Sequence, residues 1–218
     1  MKKLISNTTF QITSIVAVGI IIFFYFTIYK PAQNESIELD VPYASQAPYG
    51  QWKEPWDEAC EETSATMIDA YYKDQDHLPV EEVKKVVESM IEWEKTNQIP
   101  IEDTDANQTT SLINNTTSFK AEIKTNPTVE EIKNELNAKR PVIALINMYT
   151  LYSEETKGDS YHVLVITGYN ERRKVFIVND PARSKKEYGY DTLLHALHDF
   201  NPGTKEADGT PTVLFTKK

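Results

Sequence analysis

The chain has 218 residues, a formal net charge of −10 at pH 7 and a single cysteine. The acidic excess argues against nucleic acid as a partner, and one cysteine excludes an intramolecular disulfide. All 33 acidic residues follow residue 34, and this remainder is long enough for one domain with its own core.

The N-terminal segment is typical of a membrane anchor. Residues 12–29 are 18 mostly apolar residues preceded by two lysines, and a bilayer span needs about 17 to 25. This run exceeds the core of a cleavable signal peptide, and a poor cleavage site follows it. We therefore expect a cytoplasmic stub and transmembrane signal anchor over 1–30 and a tether over 31–37. A domain over 38–218 would lie on the extracellular side of the cell membrane, or be secreted if the anchor is cleaved.

The only cysteine lies at the predicted start of a helix. A short strand is expected over 37–43, and a Pro-rich, aromatic loop then leads into a helix that ends near Tyr72. Asp57 is a favourable N-cap, which places Cys60 in the first turn. Free backbone N–H groups and the helix dipole favour thiolate over thiol there. Cys60 is therefore a candidate nucleophile, and a buried structural cysteine is the alternative.

The middle of the chain is predicted as two helices separated by a long connection. An apolar stripe at helical spacing predicts a helix over 79–95. Thr128 and Glu131 form a capping-box pattern for a helix that ends near Lys139. Residues 96–127, between these helices, are polar and poorly patterned, so we expect a long connection there.

The C-terminal part is predicted as a sheet with one helix. The apolar run 141–147 is typical of a central strand. Residues 161–167 and 174–179 have the spacing of a β-hairpin. A helix over 190–200 and a last strand over 212–216 complete the pattern.

His162 and Asp180 lie at the two outer ends of this hairpin. A turn centred near Glu171 would place them directly opposite each other, about 5 Å apart on one face of the sheet. A carboxylate at that distance orients an imidazole. Together with Cys60, the pair supplies the thiol, base and orienting group that nucleophilic catalysis requires. The other histidines lack converging ligands, so we expect neither a metal nor another cofactor.

Four segments of the chain resemble the bacteriocin-processing (double-glycine leader) cysteine peptidase-like family of the papain superfamily. They are VPYASQAPYG at 41–50, PWDEACEETSATMIDAYY at 55–72, YHVLVITGY at 161–169 and VNDPA at 178–182. The resemblance implies an α+β, papain-like cysteine peptidase fold, in which the helix bearing the cysteine packs on an antiparallel sheet carrying the His and Asp.

The same resemblance implies a role for each site residue. By position, Cys60 is the nucleophile, His162 the general base and acid, and Asp180 the orienting residue. Gln46 is the oxyanion-hole donor beside the backbone N–H of Cys60. Because the loop before the helix is long, Gln51 is an alternative to Gln46.

The sequence thus predicts a membrane-anchored, extracytoplasmic cysteine hydrolase that cleaves peptide or amide bonds through a thioester. One alternative is a catalytically weak or dead module on the same fold that binds a peptide or surface polymer. The negative charge of Glu61 and Glu62 beside Cys60 favours that alternative, because it opposes a thiolate. Another is a thiol acyltransferase or transpeptidase, which passes the thioester to an amine instead of water.

Overall fold

An antiparallel sheet with helices packed against it makes up the part of the chain that the computed structural model describes, residues 35–152 and 161–218. The strands are β1 Ser36–Glu38, β2 Lys120–Thr125, β3 Val142–Asn147, β4 Tyr161–Asn170, β5 Val175–Asp180, β6 Ser184–Gly189 and β7 Thr212–Lys217. The helices are α1 Cys60–Tyr72, α2 Val80–Thr96, α3 Ala106–Thr116, α4 Val129–Asn137, α5 Met148–Tyr152 and α6 Tyr190–Ala196. The strand order is β2-β7-β3-β4-β5-β6, and β1 pairs with the end of β4.

The centre of the sheet is its most apolar part. β3 lies between β4 and β7, and its residues Val142 to Ile146 are fully buried. This confirms the predicted central strand, because a strand covered on both faces must be apolar along its whole length. The hairpin of β4 and β5 and the last strand, β7, are also confirmed.

Helix α1 is buried around almost its whole circumference. It packs on β4 on one side and on α2 on the other. The helix begins at Cys60 after a 3-10 turn over Trp56–Glu58, and its N-cap is Ala59, without a side-chain hydrogen bond. The prediction that Asp57 caps this helix was therefore wrong.

The sequence predicted a long irregular connection over 96–127, and this prediction was wrong. The segment contains α3 and the edge strand β2. Asp105 and Gln108 form a complete capping box at the start of α3, a signal that was present in the sequence. The helix was missed because only a few of its side chains are apolar, and Leu112 and Ile113 provide most of its packing surface.

Two edge regions also differ from the predictions. The strand expected over 37–43 spans only Ser36–Glu38, because β1 pairs only with Gly168 to Asn170 at the end of β4. Strand β6 was not predicted at all. Its sequence, SKKEYG, is polar and largely exposed, which is typical of an edge strand. It therefore lacks the apolar alternation by which strands are recognised in a sequence.

The prediction of a membrane anchor requires correction. Residues 1–30, which carry the expected stub and signal anchor, lie outside the described residues. Within 35–152 and 161–218, no helix is long and apolar enough to cross a membrane. The longest, α2, has 17 residues and is heavily charged. We therefore do not retain the transmembrane anchor or the membrane as a partner. The predicted location at the cell membrane and on its extracellular side depended on that anchor and is not retained either.

Candidate active site

The hairpin of β4 and β5 joins two buried titratable side chains. His162 lies near the start of β4, opposite Ile146 of β3, and Asp180 is the last residue of β5. Nε2 of His162 lies 2.9 Å from Oδ1 of Asp180. Both side chains are almost completely inaccessible to solvent, so the structure brings together the two hairpin residues selected from the sequence.

Their register differs from the one expected. In the half of the hairpin that faces the site, Val165 lies opposite Asn179. Continuing this register places Asp180 beside Leu164, so Asp180 and His162 are diagonal neighbours and not a directly opposed pair. Diagonal neighbours on one face remain within reach of long side chains. The hydrogen bond between His162 and Asp180 therefore forms although the predicted register was wrong.

A β-bulge at Thr167 decides that the two side chains share a face. On the turn side of the bulge, Gly168 pairs with Ile177. On the other side, Ile166 pairs with Val178, so the strand register differs by one residue between the two sides. A one-residue shift moves a side chain to the other face of a sheet. Without the bulge, His162 and Asp180 would therefore point to opposite faces.

Gly168 also permits the approach of β1. A Cβ atom at this position would lie 2.3 Å from the carbonyl oxygen of Ile37 and 2.9 Å from Cα of Glu38. Both are backbone atoms, which cannot move aside as a side chain could. The glycine of the ITGY segment is therefore required where the bulge, β1 and β4 meet.

The carboxylate of Asp180 is held by several donors. Oδ1 also accepts from the backbone N–H groups of Ala182 and Arg183, and Oδ2 accepts from the hydroxyl of Tyr152 at 2.8 Å. Burial alone would raise the pKa of Asp180, but the hydrogen bonds and charge of His162 and the bond from Tyr152 outweigh it. The net result is a pKa below the normal value, so Asp180 is an anion that fixes the ring of His162.

Cys60 is the first residue of α1, but its thiol is not bonded to the imidazole. Sγ donates to Oε2 of Glu61 at 3.0 Å, and no hydrogen bond joins it to His162 in the described part of the chain. Burial, followed by the charge of Glu61, raises the pKa of Cys60 well above its normal value. The helix start was expected to favour a thiolate, and in this structure burial and the neighbouring carboxylate together reverse that preference.

Glu61 is itself fixed from a second element. Its Oε1 accepts from both the backbone N–H and the hydroxyl of Thr104, each at 3.0 Å. The Thr104 hydroxyl in turn contacts that of Thr109 in α3 at 2.8 Å. Burial and the charge of Glu62 raise the pKa of Glu61 to about 7, so this carboxyl group changes charge near neutral pH.

Two further buried carboxyl groups lie behind Glu61. Burial raises the pKa of Glu94 in α2 to about 7, and burial together with the charge of Glu94 raises that of Glu62 well above its normal value. Oε2 of each has no hydrogen-bond partner within residues 35–152 and 161–218. Glu94 lies on the buried stripe of α2, three residues after Ile91. An acidic residue at helical spacing on an apolar stripe is a signal in the sequence by which this buried carboxyl group could have been found.

Gln46 lies against the chain just before Cys60. Its Nε2 donates to the carbonyl oxygens of Trp56 and Asp57 at 3.1 and 3.0 Å, and its backbone N–H donates to the carbonyl oxygen of Pro181. Its side chain thus links the loop to the start of α1. Gln51, the alternative, is exposed, and among the described residues no side-chain hydrogen bond ties it to the site.

The cysteine helix and the histidine strand are packed directly together. The Ser64 hydroxyl donates to the carbonyl oxygen of Val163, the residue after His162, at 3.3 Å. No group of His, Cys, Asp and Glu side chains suited to a metal ion occurs within the described ranges. A cysteine at the start of such a helix, on an antiparallel sheet that carries a bonded His–Asp pair, defines a papain-like cysteine peptidase fold.

Comparison with protein families gives the particular branch of that class. The model of the Peptidase_C39 like family matches residues 38–201, and the chain belongs to this family. This confirms the resemblance found in the sequence and the α+β, papain-like fold that it implied. Family and fold together make the protein a cysteine peptidase-like hydrolase.

Comparison with solved structures gives one match with a TM-score above 0.5 among the three described here, and all three are distant in sequence. One from Bacillus anthracis, described as a C39-like peptidase, has a TM-score of 0.54 at 15% identity, over 85% of this chain and 98% of that one. A double-glycine motif protease from an AMS/PCAT transporter, in complex with its leader peptide, has 0.45 at 16% identity, over 83% and 94%. The Pseudomonas avirulence protein AvrPphB has 0.36 at 11%, over 82% and 98%. Among curated proteins, none matches the chain.

Proposed function

We propose that the protein hydrolyses peptide or amide bonds through a thioester on Cys60, with His162 as base and acid and Asp180 as the orienting carboxylate. The observation that carries this proposal is the buried 2.9 Å contact between His162 and Asp180, beside the helix that begins with the only cysteine of the chain. Family membership supports the reaction type.

The proposed chemistry follows from the orientation of the imidazole. Asp180 accepts from Nε2, so Nδ1 is the nitrogen that remains to take the thiol proton. The thiolate then attacks the substrate carbonyl carbon, and the imidazolium returns the proton to the leaving amine. Water, deprotonated by the same nitrogen, cleaves the resulting thioester and regenerates the thiol.

Gln46 is the proposed donor to the oxyanion, together with the backbone N–H of Cys60. Its Nε2 lies at the carbonyl groups of Trp56 and Asp57, and a substrate oxygen would replace one of these acceptors. The other bond would keep the amide in place. Removal of one oxyanion donor costs roughly 10²- to 10³-fold in kcat in enzymes of this kind.

A peptide is the proposed substrate class. The loop that carries Gln46 also exposes two large aromatic side chains, Tyr49 at 67% and Trp52 at 53% of their surface. Exposed aromatic residues are favoured in surfaces that bind peptides, because they contribute large contact areas with little loss of conformational freedom. These two side chains are therefore candidates for contacts with a peptide substrate.

One observation favours a second candidate function. The Cys60 thiol donates to Glu61, and a protein in which the thiol never leaves this partner would bind a peptide without cleaving it. The exposed Tyr49 and Trp52 would serve such a binding module equally well. The two functions differ in whether covalent chemistry occurs at Cys60.

Hydrolysis of fluorescein-labelled casein and of a randomised pool of quenched peptides by the full-length chain tests the proposal. We expect cleavage that falls at least 10³-fold in Cys60→Ala and in His162→Ala. The matched control is His77→Ala, since His77 is exposed in a loop. Cleavage that persists in Cys60→Ala would contradict the proposal. Saturable peptide binding without cleavage by the wild type would favour the binding module.

A further inference from the structure

The carboxyl group of Glu61 is built into the structure as a partner of the Cys60 thiol. Glu61 is only 3% exposed, one of its oxygens faces Sγ at 3.0 Å, and the other is held by both donors of Thr104. Thr104 belongs to the segment between α2 and α3, so two separate parts of the chain fix the position of this carboxyl group. A side chain held at both oxygens cannot swing away from the sulfur without breaking these bonds.

Apart from His162, the proposed acceptor of the thiol proton, the groups around the thiol and Glu61 are acidic or neutral. They are Glu62 of α1, Glu94 of α2, Asp103 of the segment before α3, and Tyr161 of β4. Within the described residues, no Lys or Arg forms an ion pair with Glu61. A second negative charge on Cys60 would therefore lie 3.0 Å from the first in a buried site where no Lys or Arg of the described residues pairs with Glu61, an arrangement that disfavours ionisation.

We propose that Glu61 is a positioning residue that controls the nucleophile: its charged form holds Cys60 as a neutral thiol, and its protonated form releases the sulfur for transfer of its proton to His162. This inference rests on the proposed function for its consequence in catalysis. The contact itself does not depend on the substrate.

The change of state follows from the hydrogen-bonding capacity of a carboxyl group. As a carboxylate, Glu61 can only accept, so it binds the thiol proton. As a carboxylic acid, it can donate to the sulfur. The S–H bond then breaks, the proton moves to Nδ1 of His162, and the thiolate accepts the O–H of Glu61. No co-reactant is needed, and the pKa of Glu61 near 7 places this change at neutral pH.

The alternative is that Glu61 only fastens α1 to Thr104. That structural role and the proposed one predict different pH dependence for the reactivity of the thiol. If Glu61 only fastens the helix, its replacement changes alkylation by the same factor at every pH. If its charge suppresses the thiolate, the effect of replacement appears only where the wild-type carboxyl is ionised.

The experiment is alkylation of Cys60 by iodoacetamide in the full-length chain, measured from pH 5 to 9. Glu61→Gln keeps the shape of the side chain but not its charge. We expect equal rates for wild type and Glu61→Gln at pH 5.5, and at pH 8 a variant that reacts roughly five- to tenfold faster, because one pKa unit corresponds to a factor of ten. The matched control, Glu88→Gln, removes an exposed carboxylate of α2 and should change the rate at pH 8 less than threefold. A ratio for Glu61→Gln that is independent of pH would overturn the proposal.

The wild type alone provides a second measurement in case the variant does not fold. Its alkylation rate should rise about tenfold per pH unit below pH 7 and flatten above it, where Glu61 becomes charged. A single titration with a midpoint above that of a free thiol, about 8.5, would also overturn the proposal. Because alkylation needs no peptidase activity, failure of the casein assay bears on the proposed function and leaves this result standing.

Discussion

The two halves of the candidate site, the β4–β5 hairpin and the start of helix α1, differ in whether they stabilise the charged or the neutral form of their side chains. In the hairpin half, Asp180 is held as an anion by the imidazole, a hydroxyl and two backbone N–H groups, and its pKa is lowered. In the helix half, Cys60, Glu61 and Glu62 all have raised pKa values, since each is buried among groups of the same sign. The proposed base is thus oriented by an anion, whereas the proposed nucleophile is held neutral.

This difference shows that burial by itself does not set the state of an ionisable side chain. Asp180 and Glu62 are equally inaccessible, but Asp180 has four hydrogen-bond donors, whereas one oxygen of Glu62 has no partner in the described part of the chain. Donors stabilise the anion, and their absence favours the proton. Substitutions that remove a donor from the first half, or a charge from the second, should therefore have opposite effects.

The largest effect is expected from Asp180→Ala, which destroys the hairpin half. Loss of the carboxylate leaves the imidazole, the Tyr152 hydroxyl and the backbone N–H of Ala182 without their acceptor, and the imidazole loses its orientation. We expect hydrolysis to fall by about 10³- to 10⁴-fold and stability by roughly 3 kcal/mol. Peptide hydrolysis and urea unfolding measure the two effects, with the exposed Asp76→Ala as control. Activity within threefold of wild type would show that Asp180 does not orient the base.

A smaller effect of opposite sign, a gain in stability, is expected from Glu94→Gln. Glu94 lies in α2, behind Glu61 of the helix half. The folded state holds the proton of Glu94 up to a pKa of about 7, above the value of roughly 4.3 in an unfolded chain. The unfolded state therefore ionises first, and stability falls as pH rises between these two values, by up to about 1.4 kcal/mol per pH unit. The variant lacks this loss, so it should be more stable than wild type at pH 8, by roughly 2 kcal/mol, and similar to it near pH 4.

Urea unfolding at pH 4.5 and pH 8 measures this prediction. The matched control is Glu88→Gln, which lies exposed on the same helix and should shift stability by less than about 0.5 kcal/mol at either pH. If Glu94→Gln destabilised the protein equally at both pH values, Glu94 would be a structural acceptor and not a group forced to hold its proton.

The smallest effect is expected from Tyr152→Phe, which weakens the hairpin half without breaking it. The hydroxyl that donates to Oδ2 of Asp180 at 2.8 Å is lost, while the aromatic ring remains against Arg183. A hydrogen bond to a charged group contributes roughly 1.5 to 3 kcal/mol, but the three donors that remain on Asp180 keep the imidazole in place. We therefore expect only part of that energy to be lost, and hydrolysis to fall by about three- to tenfold. The pKa of Asp180 should rise, which moves the acid limb of the pH profile upward. An unchanged acid limb would show that the hydroxyl does not stabilise the carboxylate.

Much of the scaffold was predictable because its signals are local. The apolar run of β3, the stripe of α2 and the capping box of α4 lie within short windows of sequence, and each element formed as expected. Helix α3 and strands β1 and β6 were missed or misplaced, since their side chains carry little apolar pattern. In such elements, pairing with neighbours decides the structure more than propensity does.

The sequence by itself determined the order of the candidate residues, with Gln46 in a loop, Cys60 at the start of a helix, and His162 and Asp180 on neighbouring strands. It also determined the family, because short motifs in a fixed order survive large divergence elsewhere.

Only the tertiary structure decided how these residues meet. The bulge at Thr167 sets which face His162 presents relative to Asp180, and a shift of one residue cannot be read from hydrophobic periodicity. Contacts between distant segments place Thr104 on Glu61 and Tyr152 on Asp180. Ionisation of a buried group depends on the full set of charges and donors around it, and that set exists only once the chain has folded.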